Sequence, residues 1–142
     1  MDLEIRHLGP GDDGAVLAAG ALFDEPPRPA ATRRFLEEPA HHLLIAYDAG
    51  GEPVGFVTGV ETTHPDKGTE MFLYELGVAE PARRQGVGSA LASALVALAR
   101  QRGCYGMWVG TEDDNVAARR TYERAGARAT PPHVVFEWDL TA

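Results

Sequence analysis

The 142 residues suffice for one domain with a single core, and 44% apolar with 24% charged residues is the balance of a globular chain, with no apolar run long enough to span a membrane. The 13 Lys and Arg against 21 Asp and Glu leave a net charge of −8, which repels nucleic acid at long range and attracts polycations, although solubility alone selects charges of that size. The single Cys104 excludes an internal disulfide framework and suits a reducing cytoplasm, and the opening Met1-Asp2-Leu3-Glu4 lacks the basic and apolar regions of a signal peptide.

Leu3-Glu4-Ile5-Arg6-His7-Leu8 alternates apolar and polar side chains and reads as a first strand, ended by Gly9-Pro10-Gly11. Asp12 or Asp13 caps the helix that follows, which carries Val16, Leu17, Ala19, Ala21 and Leu22 until Pro26-Pro27 breaks it. A second short helix runs from about Ala30 to Leu36. Between the two, the acidic, proline-stiffened loop offers Asp24 and Glu25 either as the rim of a cation pocket or as a solvated turn. Residues 43–47 and 54–60 are strands joined by the hairpin signal Asp48-Ala49-Gly50-Gly51-Glu52, and a longer loop from Thr63 to Gly68 leads onward. His41 and His42 have no carboxylate or Cys at ligand spacing, so no metal site is expected.

Residues 72–78, Phe-Leu-Tyr-Glu-Leu-Gly-Val, form a buried strand holding one carboxylate, Glu75. After Pro81 come Arg83-Arg84-Gln85-Gly86-Val87-Gly88 at the mouth of a helix whose stripe is Val87, Leu91, Ala94, Leu95 and Leu98, closed by Gly103 as its C′ residue. The first-turn amides of a helix have no internal partner and sit at its positive end, so a glycine-rich entry with two arginines describes a phosphate or pyrophosphate site. A Walker loop would need Lys after the glycines, and a dinucleotide fingerprint would need Gly or Ala where Leu91 stands. Neither fits. A short strand from Met107 to Gly110 leads through three adjacent carboxylates, Glu112-Asp113-Asp114, and the capping residue Asn115 into a helix from Val116 to Gly126, with Ala118, Tyr122 and Ala125 on one face and the Tyr122 phenol aimed inward. The last strand, residues 133–140, alternates Glu137 and Asp139 with Phe136, Trp138 and Leu140.

Arg83-x-x-Gly86-x-Gly88 after a strand ending in Leu76-Gly77-Val78 resembles the acyl-CoA pyrophosphate loop of the GNAT superfamily of N-acyltransferases. Asn115-x-x-Ala118-x-x-x-Tyr122-x-x-x-Gly126 resembles that superfamily's second motif, and the order β-αα-βββ-α-β-α-β matches its fold from end to end. The resemblance implies a single α/β domain over residues 1–142, built on a mixed, mostly antiparallel twisted sheet flanked by helices. It also implies acetyl-CoA as cofactor, contacted by Leu76, Gly77, Val78, Arg83, Arg84, Gln85, Gly86, Val87, Gly88, Ser89, Asn115, Ala118 and Tyr122. In such a site Glu75 accepts the proton of the attacking amine, or else is a buried carboxylate paired with an Arg. A main-chain N–H near Val78 holds the oxyanion, and Tyr122 protonates the departing CoA thiolate. Cys104 is then a buried small hydrophobe, since direct transfer through a ternary complex needs no nucleophile.

Within the superfamily the chain is similar to the aminoglycoside 3-N-acetyltransferases of type I, over Leu22-Phe23-Asp24-Glu25, His64-Pro65-Asp66-Lys67, residues 72–78, Arg84-Gln85-Gly86 and Glu112-Asp113-Asp114. This implies a cationic acceptor touched by Asp24, Glu25, Tyr74, Glu75, Glu112, Asp113, Asp114 and Glu137. The same carboxylates suit spermidine, lysine or a basic peptide terminus, and one of Asp113 and Asp114 caps the following helix. A non-catalytic acyl-CoA sensor would share the fold. Neither nucleic acid nor a membrane is an expected partner. Relatives often dimerise, and Trp138 either supports a homodimer or belongs to the core.

Overall fold

Hydrophobic alternation and the hairpin turns produce a five-stranded sheet in the order β1-β2-β3-β4-β5. Strands β1 (Glu4–Leu8), β2 (His41–Tyr47), β3 (Pro53–His64) and β4 (Gly68–Val78) are antiparallel neighbours, and β5 (Met107–Trp108) runs parallel to β4. The computed structural model describes residues 2–141, so the end residues of the expected 1–142 domain lie outside the described residues. Helices α1 (Asp13–Ala18) and α2 (Pro29–Glu37) cover one face of the sheet, and α3 (Val87–Gln101) packs on the other with α4 (Val116–Arg124) beside it. Among the described residues no helix is long and apolar enough to cross a membrane.

Coverage on both faces explains why β2 reads as an unbroken apolar run. Leu43, Ile45 and Tyr47 pack with Val16 and Leu36 from the first two helices, whereas Leu44 and Ala46 pack with Val87, Leu91 and Leu95 of α3. The expected α3 stripe is rotated slightly. Its fully enclosed members are Val87, Leu91, Ala92 and Leu95, with Ala94 and Leu98 partly buried at its flank. The helix lies very close to β3, since a Cβ on Gly59 would come within 2.8 Å of Leu95 Cδ1 and one on Gly55 within 2.9 Å of Val87 Cγ1.

Four details differ from the expectation. The β3–β4 hairpin closes tighter, with pairing continuing to His64↔Gly68. Asp12 stands at the N-cap position of α1, yet its carboxylate accepts the Gly9 N–H at 2.7 Å and makes no cap bond. The β5 strand stops at Trp108 rather than Gly110. Finally, the strand expected over residues 133–140 is not formed: after Arg124 the described residues contain no helix or strand, and Phe136 and Trp138 are 81% and 82% exposed. Alternation assigns faces to a strand but supplies no ladder partner, and the adjacent sheet edge is a two-residue strand.

Leu95 is fully buried between α3 and the glycine-floored β3, so Leu95→Ala leaves a cavity the sheet cannot collapse into. Urea unfolding of this variant is expected to show a loss of about 2–5 kcal/mol with an unchanged m-value.

Candidate active site

One irregularity in β4 sets the geometry of the cleft. Thr58 pairs with Glu75 and the next residue, Gly59, with Leu73, so Tyr74 is an extra residue bulged out of the ladder. Regular alternation would put Glu75 on the same face as Met71 and Leu73, which are buried under α3. The bulge turns it to the other face, next to Thr58, whose hydroxyl accepts the Glu75 N–H at 3.0 Å. There Glu75 lines a cleft of about 370 Å³ between α2 and the sheet, together with Asp24, Glu25, Arg28, Phe35 and Leu43. Burial, and then the negative charge of Asp24, push the Glu75 carboxyl above the usual range. Tyr74 is 65% exposed and meets Phe72 edge-on, and Phe72 stacks on Trp108 at 4.3 Å.

Beyond the bulge β4 leaves β5, because the parallel pairing is confined to Met71↔Met107 and Phe72↔Trp108. Ala79 donates its N–H to Val54 O at 2.8 Å, so alternation directs the Val78 N–H away from β3 and toward this open side. The Val78 carbonyl accepts Arg83 Nε at 3.1 Å, tying the following loop to the strand end. Arg84 at φ 63° and Gly86 at φ 82° then turn the chain into α3 through the left-handed region. Gln85 donates to Pro81 O and the Ser89 hydroxyl to Gly86 O, which shapes the turn from within. No side chain caps α3, and its first amide with a helical acceptor is that of Ala90, on Gly86 O. The N–H groups of Val87, Gly88 and Ser89 thus remain at the positive end of the helix, with exposed Arg84 nearby in sequence. This donor set fits the pyrophosphate of an acyl-CoA. On α4, Tyr122 is half-buried against the α3 core, and burial pushes its phenol up.

A family model, "Acetyltransferase (GNAT) family", matches residues 15–127. The chain belongs to the GNAT acetyltransferase family. A mycothiol acetyltransferase from Salinispora tropica is 33% identical over 94% of the chain and 47% of its own length. The chain spans about half the length of the curated relatives it matches first. Of the solved structures, an aminoglycoside acetyltransferase from an uncultured soil metagenomic sample is 28% identical, with a TM-score of 0.81 over 98% of this chain and all of that one. Another from such a sample, solved with sisomicin, has a TM-score of 0.87 over 97% of this chain and 96% of its own at 19% identity, a likeness of fold.

In this GNAT fold the sequence-predicted residues fall into three groups. Asp24, Glu25 and Glu75 share the cleft. Leu76, Gly77 and Val78 follow the bulge, and Arg83 to Ser89 form the turn and first turn of α3. Gly88 has a packing role as well, since a Cβ there would stand 3.1 Å from Thr121 Cγ2 of α4. Asn115, and neither Asp113 nor Asp114, caps α4 by accepting the Ala118 N–H at 3.0 Å, so that amide is already engaged. Asp113 instead pairs with Arg119 at 3.0 Å. Glu112, Asp113 and Asp114 are exposed and do not line the cleft, nor does Glu137, which sits in the exposed segment after α4. A run of carboxylates tells of charge but not of which rim carries it.

Sequence reasoning missed Arg28, Thr58 and Phe35 as cleft residues. Phe35 was visible only as a position within the second helix, and Thr58 had no signal apart from its place in a strand. It also missed the partner of His42. Buried His42 meets Glu61 at 2.6 Å and His7 at 3.1 Å, and Arg102 Nε also reaches Glu61 at 2.8 Å. These groups come from three strands and the end of α3, so no spacing along the chain links them. Among the described residues no His, Cys, Asp and Glu cluster is arranged to hold a metal. Glu75 makes no ion pair among the described residues, which sets aside the reading that an Arg neutralises it.

The raised Glu75 carboxyl has a consequence for stability. The folded GNAT domain holds this proton more tightly than the unfolded chain does, so stability is lost as pH rises from the ordinary glutamate range through the raised value. Glu75→Gln removes that loss. Urea unfolding is expected to show the variant gaining over the parent chain at about pH 8 and little at about pH 4, where both states are largely protonated.

Proposed function

We propose that residues 1–142 form a cytoplasmic, acetyl-CoA-dependent N-acetyltransferase domain that acetylates a primary amine of a cationic acceptor. The acceptor in this reading is an aminoglycoside, modified at its 3-amino group, and the domain works as a homodimer. The observation that carries the proposal is Glu75, turned by the β4 bulge into a cleft that also holds Asp24 and Glu25. Several carboxylates around one cleft attract a polyamine-like sugar, and the aminoglycoside acetyltransferases of similar fold support that class of acceptor. A second reading, an amine with an apolar body, is favoured by Val16, Phe23, Phe35 and Leu36 in the same cleft.

Acetyl-CoA, when bound, supplies an acetyl group activated as a thioester. The amides of Val87, Gly88 and Ser89, with Arg84, hold its pyrophosphate, while Arg83 fixes the end of β4. The Val78 N–H, facing the open side of β4, donates to the acetyl carbonyl oxygen. Glu75 takes a proton from the acceptor ammonium, directly or through water, and its raised carboxyl makes it a stronger base for that transfer than a solvated glutamate. Tyr122 stays protonated at neutral pH because burial opposes its ionisation, so its hydroxyl holds a proton for the leaving sulfur. Alignment of the two substrates supplies much of the rate, so loss of either side chain slows turnover without abolishing it.

Release of free CoA thiol from acetyl-CoA, measured across gentamicin-like aminoglycosides, spermidine, lysine, a basic peptide and phenethylamine, tests the proposal. Fast release with the aminoglycosides alone, and a product carrying the acetyl group on the 3-amino nitrogen, is expected. Release with phenethylamine alone would install the second reading, and tight CoA binding without any turnover would make the domain a sensor. With the best acceptor, Glu75→Gln is expected to lower kcat/KM by about 10²-fold and to remove the acidic limb of its pH profile, on which the rate rises as the base loses its proton. Tyr122→Phe is expected to lower kcat by about 10-fold or more with little change in KM.

A further inference from the structure

We propose that the uncovered stretch of β4 beside the cleft is a second cation subsite, in which Glu70 and the rings of Phe72, Tyr74 and Trp108 hold a remote ammonium group of the acceptor. The inference rests on the reading of a polycationic acceptor above, and it names the residues that recognise the part of that acceptor which does not react.

The two faces of β4 are covered unequally. Met71 and Leu73 are buried under α3, so alternation places Glu70 and Phe72 on the other face, the one to which the bulge also turns Glu75. The core on that face draws on residues 15–36, β1, β2 and Phe56 of β3, and among the described residues none of its members comes from β4 or β5. Glu70, Phe72 and Tyr74 therefore follow an open strip of sheet that ends at Glu75 in the cleft. Trp108 of β5 borders the strip and is 52% exposed.

The strip has a defined construction. Phe72 stacks on Trp108 with ring centroids 4.3 Å apart, and Tyr74 meets Phe72 edge-on at 5.7 Å, so three rings from two strands make one wall. At its far end the Glu70 carboxylate is held by two partners. Its Oε2 accepts the Tyr105 hydroxyl at 3.1 Å, and its Oε1 lies 3.1 Å from His64 Nε2. Each oxygen keeps a second lone pair, and the Glu70 side chain is 24% exposed, so a ligand reaches it. Among the described residues no Lys or Arg pairs with Glu70, and Lys67, nearby in sequence, is taken by Asp66 at 3.0 Å.

Aromatic faces beside a fixed carboxylate recognise an ammonium group, the rings through their quadrupole and the carboxylate through charge-assisted hydrogen bonds. The spacing then selects the kind of amine. Glu70 and Glu75 are separated by about 15 Å of extended chain, with the aromatic wall between them. A small monoamine occupies one end only, whereas a several-ring aminoglycoside presents one amine to Glu75 and another to the rings or to Glu70. Binding energy from the distant group orients the reacting amine against the thioester.

The test is turnover by the full chain of two acceptors that share the reacting amine: a gentamicin-like aminoglycoside and the isolated 2-deoxystreptamine ring, which carries the 3-amino group without the outer rings. The parent is expected to favour the aminoglycoside in kcat/KM. Glu70→Gln and Trp108→Leu are each expected to cut that preference by about tenfold, through a higher KM for the aminoglycoside, and the effect of Glu70→Gln is expected to shrink as salt is added. Glu123→Gln on α4 removes the same charge on the opposite face of the sheet and is expected to leave the preference as in the parent. Should Trp108→Leu lose the circular dichroism of the fold, the isosteric Glu70→Gln decides alone. A preference unmoved by Glu70→Gln, or moved as far by Glu123→Gln, would overturn the subsite and leave the aminoglycoside reading standing. Turnover of neither acceptor, whatever other amine is acetylated, would overturn both.

Discussion

The bulge at Tyr74 is the constraint on which the rest of the site depends. Before it, Met71 and Leu73 point into the core under α3; after it, Leu76 and Val78 do, and Glu75 and Gly77 face the other way. One inserted residue thus exchanges the two faces of a strand in mid-course. The interruption leaves the Glu75 N–H without its regular ladder acceptor, and the Thr58 hydroxyl takes that place at 3.0 Å. The pairing of β4 with β5 stops at Phe72↔Trp108, two residues before the bulge, so the carboxylate and the unpaired stretch of strand edge lie side by side on β4.

The surroundings hold that departure in position. On one side, Val87, Leu91 and Leu95 of α3 press against Gly55 and Gly59 so closely that side chains at those positions would displace them. On the other, the Phe56 ring and the Leu22 carbonyl crowd Gly77, where a Cβ would come within 2.6 Å of Phe56 Cε1. A strand clamped on both faces cannot slip by one residue without moving Glu75 out of the cleft and Leu73 out of the core. The loop that leads into α3 is tied to the same strand by the hydrogen bond from Arg83 Nε to the Val78 carbonyl.

Much of this was legible in the sequence because it is periodic or local. The α3 stripe, the C′ glycines Gly103 and Gly126 and the hairpin at residues 48–52 each depend on residues within a few positions of one another, and each appears where local chemistry puts it. Glu75 was found as the one carboxylate in an apolar strand, but its face was not readable. Strict alternation assigns it to the side of Leu73, and only the register with β3 reveals the extra residue. Before α4 the Asn115 cap was legible, whereas a cap by Asp113 or Asp114 is not what forms. Asp113 and Asp114 are good caps, yet Asn115 stands one step closer to the helix, and Arg119 one turn on draws Asp113 to itself. His42 and Glu61 show the general limit, since their contact is made across two strands that the sequence separates by a whole hairpin.

The segment at residues 133–140 separates two things that a sequence pattern usually delivers together. Alternation determines which side chains a strand will bury, and here it selects Phe136, Trp138 and Leu140 without ambiguity. It says nothing about the identity of the sheet, because a ladder of backbone hydrogen bonds carries no memory of which chain supplies the edge. Within one chain the cost of ordering such a segment is offset only if an edge of matching length and polarity lies within reach. A β5 of two paired residues offers few ladder bonds, and residues 133–140 stay outside the sheet with Phe136, Trp138 and Leu140 exposed.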